Sequence, residues 1–136
     1  MNISSRCEYA CRAMAELAVH EATQEPMPAA QVADRRSIPE KYLVHILLQL
    51  KRAGLLRSIR GAQGGYLLAQ PASSITLREV LEAIDGPVLD PLPVEGGDGS
   101  LRPIWGDIAR RIQEILDTVT VRQLAEQQDS ASMYYI

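Results

Sequence analysis

The sequence predicts a mainly α-helical fold that carries one small β-hairpin, and three observations predict it. Apolar residues recur at helical spacing over most of the chain. The period shortens to that of a strand only at Leu55–Arg60 and Tyr66–Ala69. Those two runs flank Gly61-Ala62-Gln63-Gly64-Gly65, a glycine-rich turn. The full chain of 136 residues is about one domain long.

Each element has its own signal. Ser5 to Glu21 reads as a first helix, with Cys7, Ala10, Cys11, Met14, Leu17 and Ala18 on one stripe. Ser5 and Glu8 have the spacing of a capping box. Pro26 and Pro28 break the chain before a short helix, Ala29 to Arg36. A tight turn at Ser37-Ile38-Pro39-Glu40 offers a second capping box, Ser37 with Glu40. The next helix runs to about Ala53, buries Leu43, Ile46, Leu47 and Leu50, and stops at Gly54. After the hairpin, Thr76 and Glu79 open a helix that ends at Gly86-Pro87. Val88–Gly99 is rich in proline and glycine and reads as irregular. Ser100 then caps a long helix with Leu101, Ile104, Trp105, Ile108, Ile112 and Ile115 on one face. A short helix over Val121–Gln127 and a tail complete the reading. The expected organisation is residues 1–87, a loop at 88–100, and a pairing segment at 101–136.

Composition narrows the function. The chain has no Phe and one Trp, so its core must be aliphatic. It lacks an apolar run long enough to span a membrane, and Met1-Asn2-Ile3-Ser4-Ser5 is not a secretory start, so a cytoplasmic location is expected. No serine-hydrolase, zinc-protease or phosphate-loop pattern is present, and an enzyme is not expected.

The net charge of −3 hides a segregation. Between Ala30 and Val80, Arg35, Arg36, Lys41, Lys51, Arg52, Arg57, Arg60 and Arg78 meet only Asp34, Glu40 and Glu79. Acidic residues dominate both ends. A basic block between acidic ends suits a face that meets phosphate, although a solvated charge cluster would give the same composition. The order helix, short helix, turn, helix, hairpin, helix favours the first. It is the order of a winged helix-turn-helix, in which the second helix of the pair enters the major groove of duplex DNA. Ser37 and Glu40 at the turn and Lys41, Tyr42, Val44 and His45 on the helix are the candidate contacts. On the wing they are Arg60, Gly61, Gly64 and Gly65, with Arg60 suited to a narrow minor groove. Taken alone, the glycines describe a hairpin turn as well as a DNA contact.

Specific runs of residues resemble one family. They are Tyr9-Ala10, Tyr42-Leu43, Leu50-Lys51-Arg52-Ala53-Gly54-Leu55, Arg60-Gly61 followed by Gly64-Gly65-Tyr66-Leu67-Leu68, Ile75-Thr76-Leu77 and Ile84-Asp85-Gly86-Pro87. In that order they resemble the transcriptional regulators that include IscR, NsrR and CymR, densely to about residue 88 and more loosely over 101–127. The resemblance implies a homodimer that binds a palindromic operator as a regulator, most simply a repressor, with the long helix pairing with its twin. It also implies contacts from Lys41, Tyr42, Val44, His45 and Arg60. Val44 stands where cluster-sensing relatives commonly carry Glu. A carboxylate accepts from cytosine, whereas valine packs against a thymine methyl.

Many relatives hold an iron–sulfur cluster through three cysteines in the loop before the long helix. Here residues 88–100 contain neither Cys nor His, so no cluster of that kind, and no other cofactor or metal, is expected. Glu8, at the position of an acidic ligand in some relatives, reads as a capping partner. Cys7 and Cys11 lie four apart in the first helix, too few for a disulfide framework. They fit core packing, or a redox or metal sensor. Two further readings stay open: a dimeric protein-interaction module, and a regulator whose activity a partner protein controls through the acidic C-terminal part.

Overall fold

The computed structural model describes residues 2–89 and 95–134. Its helices are α1 (Ser5–Val19), α2 (Ala29–Arg36), α3 (Glu40–Arg52), α4 (Leu77–Asp85), α5 (Arg102–Leu116) and α6 (Val121–Tyr134). Strands β1 (Leu56–Ile59) and β2 (Gly65–Leu68) form an antiparallel hairpin after α3, with Leu56 opposite Leu68 and Ile59 opposite Gly65. The sequence-based order is therefore the observed one.

Helix α1 is the centre of the packing. Ala10, Ala13, Met14, Ala15 and Leu17 are buried on it, and α2, α3, α4 and α6 all lie against it. Its small residues let those neighbours approach closely. Leu43, Ile46, Leu47 and Leu50 of α3 join the same core, as do Val32, Ile75 and Val80. The burial of so many aliphatic side chains, each contributing about 1.5–3 kcal/mol, replaces the aromatic core that the chain lacks.

Buried Glu16 is paired with Arg36, 3.4 Å from its Nε, and with His20 at 3.4 Å, which ties α1 to the end of α2. The wing is stitched to the body by Met27. The Met27 N–H donates to the Tyr66 carbonyl at 3.0 Å and Tyr66 returns the bond at 2.9 Å. Lys51 Nζ donates to Ser58 Oγ at 2.7 Å, which joins the last turn of α3 to β1.

The helix ends show where local spacing misleads. Thr76 and Glu79 form the expected capping box. Helix α1, however, is capped by Ser4, which accepts from the Cys7 N–H at 3.1 Å and donates to Asp85 at 2.7 Å. Glu8 is thereby free to pair with Arg12. The expected Ser37–Glu40 box is absent. Ser37 takes a left-handed conformation, φ 54°, as the C-cap of α2. That reversal puts Ile38 into the core, and Pro39 leads into α3 without a side-chain cap. Ser100 does not cap α5 either: the N-cap position falls on Leu101, without a side-chain cap, and the Ser100 N–H donates to Asp98 at 2.9 Å.

The C-terminal segment divides in two. Helix α5 buries no residue. Helix α6 returns to the body, where Val121 and Ala125 enter the core. This seat sustains a helix to Tyr134 where a short helix and a tail were expected. Two backbone bonds fix the corner between α5 and α6: Leu77 N–H to the Val119 carbonyl, 2.8 Å, and Val121 N–H to the Ile75 carbonyl, 2.9 Å. The loop expected at 88–100 lies partly outside the described residues.

Candidate nucleic-acid interface

Helix α3 is strictly two-faced. Leu43, Ile46, Leu47 and Leu50 are fully buried, and the residues between them point outward. The outward face carries Lys41, Val44, His45, Leu48 and Arg52, which follow one another at helical spacing. Val44 is 50% exposed and Leu48 39%, an apolar strip with no neighbour to cover it among the described residues. Tyr42, also exposed, lies beside this face at the first turn. Every candidate residue predicted on α3 is thus on the surface and within two turns of the helix start. Leu48 was not among them, although its place one turn beyond Val44 is legible in the spacing.

Contacts organise the first turn. The Tyr42 ring stacks with that of Tyr9 on α1, centroids 6.5 Å apart and planes 18° apart. Lys41 Nζ lies 5.1 Å from the Tyr42 centroid. Arg12 stands 5.5 Å from the Tyr9 centroid and its guanidinium donates to the carbonyls of Arg36 and Ser37. Ser37 and Glu40 flank this turn and are exposed.

At the wing, Arg60 and Gly61 are exposed. Gly61 has φ +114° and open space around it. The other glycines are required by the hairpin itself. A Cβ on Gly64 would lie 2.1 Å from the Ile59 carbonyl oxygen, and one on Gly65 2.4 Å from the Met27 backbone. Their closest approach is to the protein's own main chain.

Cys7 and Cys11 are free thiols on α1. Cys7 is buried and its Sγ donates to Asp85 at 3.2 Å. Burial raises its pKa, and burial pushes that of Cys11 up to about 12. Thiols held protonated in this way are poor nucleophiles and poor metal ligands. Among the described residues no three of His, Cys, Asp and Glu gather closely enough to hold a metal ion. With only two cysteines in the chain, both on α1, the donor set does not fit a cluster held by three thiolates. No helix of the described residues is long and apolar enough to cross a membrane.

A two-faced helix after a tight turn, backed by a core and followed by a pinned glycine-tipped hairpin, defines a winged helix-turn-helix DNA-binding protein. Comparison with known proteins agrees. Residues 3–127 match the family model of Rrf2, described as an iron-dependent transcriptional regulator. The HTH-type transcriptional regulator IscR of Yersinia enterocolitica is 34% identical over 135 residues, covering 95% of this chain and 82% of that protein. The structure of CymR, the global cysteine regulator of B. subtilis, superposes with a TM-score of 0.79 at 31% identity. It covers 93% of this chain and 98% of that one. IscR of T. potens gives a TM-score of 0.76 at 27% identity, covering 99% and 97%. The chain belongs to the Rrf2 family of transcriptional regulators; it is a DNA-binding regulator and not an enzyme.

Proposed function

We propose that the chain acts in the cytoplasm as a homodimeric repressor on a palindromic operator and needs no iron–sulfur cluster. In this reading residues 1–87 read the DNA, 101–136 pair the copies and 88–100 link them. Helix α3 enters the major groove and Arg60 reaches the adjacent minor groove. The observation that carries the reading is the outward face of α3, with Lys41, Val44 and His45 held up by four fully buried residues. No side chain caps α3, which leaves its first N–H groups to a phosphate. Gly61 and Arg60 form the exposed wing tip, whereas Gly64 and Gly65 support it through the hairpin's geometry. The uncovered face of α5, with Ile104 52% and Ile115 65% exposed, supports pairing with a second copy.

Selection of operators from random duplexes by the purified chain tests the reading. The expected product is a palindrome, bound with strong salt dependence. Lys41→Ala should weaken binding to all sequences and lower the salt slope by about one phosphate contact. Arg60→Ala should weaken binding mainly at A·T-rich flanks. Recovery of no preferred sequence, with a single protein captured stoichiometrically instead, would favour the protein-interaction module. An absorption spectrum after anaerobic purification should show no cluster bands.

A further inference from the structure

We propose that Tyr9, on α1, is a positioning residue for DNA recognition: it holds Tyr42, and through it the first turn of α3, in place before DNA arrives. The inference rests on α3 being the DNA-reading helix. Tyr9 is itself half-buried and belongs to a different element from the residues it serves. Its ring meets Tyr42 at 6.5 Å and 18°, within the range of an offset stack. Without that stack Tyr42 would be a surface side chain free to sample rotamers, and DNA would have to order it.

Arg12 braces the arrangement from behind. It lies over Tyr9 at 5.5 Å, is held by Glu8 at 3.1 Å, and donates to the carbonyls of Arg36 and Ser37 at 3.4 and 3.5 Å. Tyr9 is therefore fixed relative to the turn that aims α3. At the other end Lys41 Nζ rests 5.1 Å from the Tyr42 centroid. These contacts run from α1 to the first turn of α3 as two stacked rings with a cation at each end. Neither the helical spacing of α1 nor its capping calls for an aromatic at position 9.

The test uses the full-length chain and an operator obtained by selection with the wild type. Affinities for that duplex and for a scrambled one are measured by fluorescence anisotropy for Tyr9→Ala, Tyr9→Phe, Tyr42→Ala and the double alanine variant. Tyr9→Ala should weaken operator binding about two- to tenfold. Scrambled-duplex affinity and the salt slope should stay unchanged, because no phosphate contact is removed. Tyr9→Phe should restore wild-type affinity, and Tyr9→Ala should add nothing once Tyr42 is alanine. If Tyr9→Ala does not fold, Tyr9→Leu keeps the apolar packing and removes the stack. Loss in Tyr9→Phe equal to that in Tyr9→Ala overturns the proposal, since the hydroxyl would then be acting directly. So does full additivity of the two alanine changes. A separate readout is taken without DNA: the NMR signals of the Tyr42 ring should move in Tyr9→Ala and not in Tyr9→Phe. If they move while the wild type selects no operator, the reading of α3 has failed and the stack has not.

Discussion

The two cysteines show how burial decides what a residue can do. Cys11 sits half-buried in the α1 stripe with its pKa pushed up to about 12, and Cys7 is raised by burial beside Asp85. In the native state both should resist a disulfide reagent at pH 8 and react fully only in denaturant; rapid native labelling of either would restore the sensor reading. Stability should depend on pH with a definite sign. An unfolded thiol ionises near 9.0, so the neutral native thiol of Cys11 contributes stability below that pH. That contribution is lost as pH rises from 9 towards 12, and urea midpoints should fall over that window more in the wild type than in Cys11→Ala. Val44 makes a different kind of prediction. Exposed at the centre of the α3 face, it has only methyl groups to offer a base. Val44→Glu should move the selected sequence from thymine to cytosine at one position in each half-site, with about 1–3 kcal/mol of discrimination. An unchanged selected sequence would remove Val44 from the reading surface.

Elements were legible where period and punctuation agreed. The stripe of Leu43, Ile46, Leu47 and Leu50 and the glycine-rich turn gave α3 and the hairpin directly, and Thr76-x-x-Glu79 gave the start of α4. Three serines misled, two of them for one reason. Spacing shows that a hydroxyl could reach an N–H, but not whether tertiary packing needs that backbone elsewhere. Ser37 turns the chain so that Ile38 is buried, and Ser4 is preferred over Ser5 because Asp85 accepts from it; at α5 the helix begins one residue beyond Ser100, from Leu101. The glycines were legible as a turn but not by role. Gly64→Ala should disrupt the hairpin, since its Cβ would strike the Ile59 carbonyl, and cost about 2 kcal/mol or more in urea unfolding. Gly61→Ala meets open space at a strained φ and should cost about 1 kcal/mol. Equal costs would mean that the close approach is not what selects glycine at position 64.

At the scale of the whole molecule, the sequence indicated an apolar face on α5 but not how its flanks divide. That α6 doubles back was hidden because Val121, Leu124 and Ala125 mark a helix face without showing what it packs on. The α5 face remains uncovered in one chain, with Trp105 and Ile108 near its middle. Ile108→Glu should convert the proposed dimer to monomer by light scattering and weaken operator binding at least tenfold while leaving the circular dichroism of the body intact. A variant that stays dimeric would place the contact elsewhere.

The corner between α5 and α6 is held by main-chain bonds at Leu77–Val119 and Val121–Ile75, and by the Arg78–Asp117 ion pair at 3.1 Å. Replacing an exposed side chain there leaves the main-chain bonds in place, whereas a change in chain length does not. Removing one residue between Asp117 and Thr120 would take out about 3.5 Å of chain and shift α5 against the body. In the proposed dimer each copy would still grip a lone half-site, but the two grips would lose their common spacing. Under that proposal the distance between half-sites is set in part by a length of backbone.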